Sequence, residues 1–362
     1  MKPPGVILKE IAENPVSQAI ARRWHPAYRI ILVALSTALL TWFHINMPGK
    51  GPDFTVLWAA AGHIFAPVYD IAYITSLQPG LPGPRPFAYP PPFLLVLAPV
   101  GLLPFKMAYV AWCTAAMVLF VEAGMRVTRF GWLMLFSPTL IFVALIGQTT
   151  LIVGALAIAG LTSLDRPQRA GLAIGVALCI KPQLLLLVPV LLIADQRWRV
   201  LLFTGLSAMA LSLAATIILG PHIWLDWLGA LPEFVAVNDR LGIERLGVAA
   251  WLRPAVLIAA TLLLIRATRR NDRPRMMLVA LGGSIVLAPH AVFYESVIVL
   301  PAAIALVGLC LDTIPALLLL LGIAETPMAF MAAVGLLASG WLPKRTAPEA
   351  QKARLPDQPE AV

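Results

Sequence analysis

Charge is nearly expelled from this chain, and no other feature limits its fold as strongly. Lys and Arg number 27 and Asp and Glu 18, so charged residues make up 12%, where a soluble domain carries about a quarter. Hydrophobic residues reach 60%. That balance excludes a soluble globular enzyme, a disordered chain and a fibrous protein, and leaves a polytopic helical membrane protein. The apolar runs lack the roughly ten-residue apolar-out, polar-in alternation of an outer-membrane barrel. The expected fold is all-α, an integral membrane bundle of about ten to twelve transmembrane helices with outward-facing interfacial helices and loops.

The net charge of +9 is a topology signal, because cytoplasmic loops retain Lys and Arg. Basic residues recur in short loops: Arg126 and Arg129, Arg166 and Arg169, Arg197 and Arg199, then Arg266, Arg269, Arg270, Arg273 and Arg275. No nucleic-acid partner is expected, since no single basic face emerges. Placing these loops inside puts four other segments outside: the Gly147–Gln148 turn, the Lys181–Pro182 turn, the loop from Gly220 to about Gly247, and the Pro289–Glu295 turn. The domain reading is a cytoplasmic N-terminal segment, 1–26, a transmembrane domain, 27–342, and a disordered tail, 343–362, rich in Pro, charge and Ala. No cleavable signal pattern precedes the first apolar run.

Two runs, 170–180 and 183–194, are far shorter than the roughly twenty residues a span needs. Residues 93–103 are also too short and read as a half-buried or re-entrant helix. Broken helices persist only where the freed backbone is buried in protein or lines a wet cavity. A polar cavity on the outward side, with the outward turns converging on it, is therefore expected. Cys113, Cys179 and Cys310 lie inside apolar runs with no CxxC spacing and read as packing residues.

The first outward segment, 49–103, carries Asp53 in Gly-Pro-Asp-Phe, ahead of an apolar-periodic stretch, Thr55–Ala66. Asp53 suits a helix N-cap, and equally a general base at the rim of a cavity. Asp70 starts a turn or contacts a sugar. Arg85 precedes a proline-stiffened run that fixes Tyr89; the pair reads as an interfacial anchor or as a cavity wall. Gln148 is a lone amide at one outward tip. Lys181 is a lone cation at another, with no acidic residue within ten positions. An unpaired cation near the membrane is costly and points to an anionic ligand, most simply a lipid phosphate. His290 and Glu295 share a further outward turn, where a His can meet a phosphate or a sugar hydroxyl. His44, His63 and His222 make weaker candidates.

In order and spacing these elements resemble glycosyltransferase family 87, a GT-C-type group related to polyprenol-phosphate-mannose-dependent mannosyltransferases. The elements are Asp53-Phe54, Tyr69-Asp70, Tyr89-Pro90-Pro91, Gly147-Gln148, Gly171–Gly175 leading to Lys181-Pro182, and Pro289-His290. The resemblance implies sugar transfer, commonly of mannose, from a polyprenyl-phosphate sugar to a lipid-linked or other glycan acceptor. It places the reaction on the outer face of a bacterial-type plasma membrane. It makes Asp53 the catalytic base, with Lys181 and His290 on the donor side. Gln148, Tyr89 and Arg85 are expected beside the donor, and Asp70 and Glu295 beside the acceptor or sugar. Leu57 and Trp58 depart from the tyrosine the family often carries, and the first loop lacks the adjacent acidic pair of many GT-C enzymes.

The chemistry is consistent with one carboxylate. Phosphate carries the developing charge on the leaving group, so no general acid is required, unlike the two-carboxylate hydrolysis of glycosides. A single base implies inversion. No cofactor is expected, no metal ligand set is visible, and a divalent cation is left open. Besides substrates, the partners are membrane lipids. The rival readings are a transporter or flippase of a lipid-linked saccharide and a non-catalytic assembly factor.

Overall fold

In the computed structural model, residue 31 and residues 34–44, 51–78, 85–128, 131–240 and 248–307 are described. Residues 1–26, the tail 343–362 and everything after Leu311 lie outside them, and so do the expectations for those segments. The described residues are helical, joined by short turns.

Helix α1 covers 34–44. It is followed by α2 (Pro52–Ala61), α3 (Ile71–Ser76), α4 (Pro91–Gly101) and α5 (Phe105–Val127). Next come α6 (Pro138–Ile146), α7 (Thr150–Leu161), α8 (Pro167–Ile180), α9 (Val188–Ala194) and α10 (Trp198–Leu219). The last are α11 (Ile223–Arg240), α12 (Arg253–Arg269), α13 (Arg273–Leu287) and α14 (Leu300–Val307). Helix α5, helix α10 and the segment Ala250–Arg269 are long and apolar enough to cross a membrane. Helices α6 and α7 form a fourth apolar unit, bent by 116° at Gly147–Thr149. The described residues thus hold three helices able to span by length and composition, or four with the bent pair, together with the shorter apolar helices that the length argument anticipates.

The bend has a local cause. Gly147 has φ +72°, a left-handed conformation that only glycine adopts without strain. A Cβ there would also run into Phe54. The break between α6 and α7 is therefore pressed against the residue next to Asp53. The second break follows Lys181, where Pro182 lacks an N–H and stops α8. A short 3₁₀ turn, Pro182–Leu185, leads to α9. The N–H of Leu187 is satisfied by the Ser284 hydroxyl of α13 at 2.9 Å, as backbone freed inside a membrane protein requires.

Helices α8 and α10 approach closely because Gly171 and Gly175 face Phe203 and Ser207 with no room for a side chain. This is the small-residue packing that joins helices in lipid. Ser207 also donates to the Gly171 carbonyl at 3.1 Å.

Two expectations change at the end that carries Asp53. Helix α2 starts at Pro52, not Thr55, and stops at Ala61. Gly51, with φ +55°, is the N-cap, so Asp53 lies in the first turn and is not the cap. Proline at the first helical position presets the helical φ and moves the start toward it. The segment after Gly220 is not a loop. Most of it is α11, an amphipathic helix whose Trp224, Trp227 and Phe234 face inward while Leu225, Asp226 and Glu233 are exposed. Trp227 donates to the Ala88 carbonyl at 3.1 Å, tying α11 to the proline-rich strip that carries Arg85 and Tyr89.

At the opposite end the turns rich in arginine meet. Arg197 bonds Asp195 at 2.8 Å and Asp165 at 3.3 Å, and Arg273 reaches Asp165 at 4.0 Å. Three of the four loops that the charge pattern grouped, those at Arg166, Arg197 and Arg273, therefore do meet.

Candidate functional site

The breaks at Gly147–Thr149 and Lys181–Pro182, the turn at Pro289–Glu295 and the start of α2 converge on one polar cluster in an apolar protein. Its centre is Gln148. The amide nitrogen donates to Asp53 Oδ2 at 2.9 Å and to the Tyr294 hydroxyl at 3.0 Å. The amide oxygen accepts from the Tyr89 hydroxyl at 2.7 Å and from the Thr149 N–H at 2.8 Å. The Thr149 hydroxyl lies 3.0 Å from that oxygen and 3.2 Å from the Tyr89 hydroxyl. With donors on one side and a carboxylate on the other, the amide has one orientation that satisfies the network. Gln148 is buried, so that orientation is locked.

Asp53 is held from a second direction. Arg85 Nη1 lies 3.8 Å from Asp53 Oδ1, a loose ion pair with both side chains partly exposed, 27% for Arg85 and 17% for Asp53. The Arg85 backbone is anchored where Gln78 donates to its carbonyl at 2.9 Å. Phe54, next in the chain, is fully buried among Phe105, Tyr109 and Trp112. The aromatic packing and the capless turn at Gly51 set where the carboxylate emerges. Burial pushes the Asp53 carboxyl above its ordinary value of 3.8, while Arg85, Lys181 and the Gln148 amide oppose that rise.

Lys181 corrects the sequence reading. It is not an unpaired cation. Its ammonium donates to Glu295 Oε1 at 2.8 Å and to the Thr150 hydroxyl at 3.1 Å, and both charged side chains are buried. The partner is 114 residues away, beyond any local search. Glu295 is likewise engaged within the protein. Its second oxygen accepts from the Val292 N–H at 3.2 Å, so both oxygens have internal partners. Lys181 also lies over the Tyr89 ring, 5.8 Å from its centre, which links the ion pair to the Gln148 network.

The structure joins Asp53, Arg85, Tyr89, Gln148, Lys181 and Glu295 in one network. Asp70 does not enter these bonds. It caps α3, accepting from the Tyr73 N–H at 2.8 Å. The His290 ring packs edge-on against Phe234 of α11 at 5.0 Å. The sequence did not single out Tyr294, Thr149 or Thr150. Tyr294 resembles any interfacial tyrosine until its hydroxyl is seen on Gln148.

The cluster has two shells. Gln148, Thr149, Thr150, Lys181 and Glu295 are buried, while Asp53, Arg85, Tyr89 and Tyr294 are partly exposed. The partly exposed shell offers a carboxylate, a guanidinium and two phenols, a set suited to a substrate with both an anionic group and hydroxyls. A family model supplies the class: residues 87–340 match glycosyltransferase family 87. The chain belongs to that family. No curated protein and no solved structure matches it. In this glycosyltransferase the matched stretch contains Tyr89, Gln148, Lys181, His290 and Glu295, while Asp53 and Arg85 precede it. The two N-terminal residues are tied to the matched region by the Gln148 bond and by the chain leading into Tyr89.

Proposed function

We propose that this glycosyltransferase moves a sugar, mannose by resemblance, from a polyprenyl-phosphate donor to a glycan or lipid-linked acceptor with inversion. Asp53 is the general base. Its carboxylate takes the proton of an acceptor hydroxyl as that oxygen attacks the anomeric carbon. The bond from that carbon to the phosphate oxygen breaks, and the polyprenyl phosphate leaves with the electron pair. Gln148 holds Asp53 Oδ2, which leaves Oδ1 to face substrate beside Arg85.

Arg85 is the cation best suited to meet the donor phosphate, being partly exposed and only loosely engaged at 3.8 Å. Lys181 acts from beneath, where its charge is largely balanced by Glu295. Stabilising charge that develops on the leaving phosphate is the largest contribution such a site can make. By the positive-inside rule the site end faces away from the cytoplasm, on the outer side of a bacterial-type plasma membrane. The donor is then drawn from the membrane itself, and residues 27–342 act as one catalytic domain.

The observation that carries this reading is the convergence of Asp53, Arg85 and the Gln148 amide in a partly exposed polar site. The test uses the full chain in lipid nanodiscs with polyprenyl-phosphate mannose and other polyprenyl-phosphate sugars, and a membrane lipid extract as acceptor source. Mass spectrometry follows released polyprenyl phosphate and new glycosylated species. Asp53→Asn is expected to lower turnover by about 10²–10⁴, the range for a general base. Near-normal turnover in a folded variant removes Asp53 from the role. Movement of donor across the bilayer without bond cleavage favours a flippase instead.

A further inference from the structure

The Tyr294 hydroxyl stands apart from the other polar groups of the site. Among the described residues its hydrogen-bond partner is Gln148 Nε2, at 3.0 Å. An amide nitrogen only donates, so Tyr294 accepts there and its own hydrogen has no acceptor in the described protein. Tyr89 differs, because its hydrogen is given to Gln148 Oε1 at 2.7 Å. Tyr294 is partly exposed, and its ring is held by Phe293 at 5.4 Å and Phe142 at 6.3 Å. A positioned, reachable donor therefore lies beside the base, and both touch the same amide nitrogen.

We infer that Tyr294 binds the acceptor. Its hydroxyl donates to a second hydroxyl oxygen of the acceptor, next to the one whose proton Asp53 removes. The acceptor side is favoured over the donor side by position. Tyr294 is bonded to the amide nitrogen that also holds the base, whereas the two cations that suit a phosphate pair elsewhere, Arg85 with Asp53 and Lys181 with Glu295. The substrate class that this selects is a polyol with neighbouring hydroxyls, a sugar residue, in preference to a simple alcohol. The inference rests on the glycosyl-transfer reading.

Water serves as the control acceptor, because it has no second hydroxyl. Hydrolysis of polyprenyl-phosphate mannose uses the same base and leaving group, with water oxygen attacking the anomeric carbon. Wild type and Tyr294→Phe, which keeps the ring and removes only the oxygen, are compared in nanodiscs. Transfer to glycan in a lipid extract and release of free mannose are measured together. The expected result is that transfer falls about tenfold further than hydrolysis, the effect of one lost neutral hydrogen bond. A parallel fall in both rates overturns the inference, because Tyr294 then acts only through Gln148 on Asp53. No change in either rate also overturns it. Asp53→Asn, measured alongside, separates the two readings. Loss of both rates in that variant upholds the base whatever Tyr294 does, and a silent wild type removes the transfer reading and this inference with it.

Discussion

At the basic end of the bundle, Asp195 and Arg197 are two residues apart and Asp272 and Arg275 are three. At the site end, Gln148 is 95 residues from Asp53, and Lys181 is 114 from Glu295. Both ends contain charge in an apolar protein. The local pairs close turns and cap helices: Asp272 caps α13 while bonding Arg275 at 2.7 Å. The distant pairs do something local pairs cannot, because they hold separate helix breaks against one another. Solvation differs as well. Arg197 and Asp165 are partly to largely exposed, and such pairs contribute about 0–1 kcal/mol. Lys181 and Glu295 are buried, and each depends on the other for its charge to be tolerated. At the basic end the distant pairs are exposed and the buried pair is local, and their charge reports topology; at the site end Lys181 and Glu295 are both buried and distant, and that combination builds the site.

The widest separation between the two ends is expected in catalysis. Asp53→Asn lowers turnover by about 10²–10⁴, and Asp195→Asn leaves it within a factor of about two. Rates in nanodiscs check the contrast, and a comparable loss from both variants breaks it. Stability comes next. Glu295→Leu strands a buried ammonium and is expected to cost about 3–5 kcal/mol in thermal unfolding. The double variant Lys181→Met with Glu295→Leu recovers most of that loss, since a buried pair replaced as a whole is often near neutral. Failure to recover shows that the pair is needed for more than mutual neutralisation.

A smaller effect is read in pH. Asp53 must be ionised to act as a base, and its carboxyl is held above the ordinary value of 3.8 by burial, against the pull of Arg85. Activity therefore falls as pH drops through a midpoint above that value. Arg85→Gln removes a lowering influence and moves this acid limb to higher pH, besides weakening donor use. An unmoved limb in kcat/KM detaches Arg85 from Asp53 in solution. The smallest effect is at the basic end, where Asp195→Asn is expected to change unfolding by less than about 1 kcal/mol.

Much of the site end is legible from the sequence, for reasons that can be named. Helix lengths identified the breaks at Gly147–Gln148 and Lys181–Pro182, because about twenty residues are needed to cross a bilayer. The positive-inside rule grouped the arginine turns, and Arg197, Asp165 and Arg273 do meet. The pairing of Lys181 was not legible. A search of ten positions found no acid, and the acid lies on the far side of α13 in sequence. Helix α11 resembles a loop in sequence because its polar residues and Pro232 interrupt the apolar pattern. Its inward aromatic residues are recognisable only once Ala88 and His290 are seen beneath them.

By itself the sequence determined what depends on transfer from water to lipid: an all-α membrane protein, the side on which the basic loops gather, and helices too short to span. These follow from composition and length, which each segment carries alone. The tertiary structure decided which broken ends touch. Gly147 against Phe54 brings the Gln148 amide to Asp53, and that bond turns a lone carboxylate near a membrane into a held one. It also gave Lys181 its counter-charge and left the Tyr294 hydrogen uncommitted. Such pairings depend on close packing between segments far apart in the chain, and no segment encodes its partner's position.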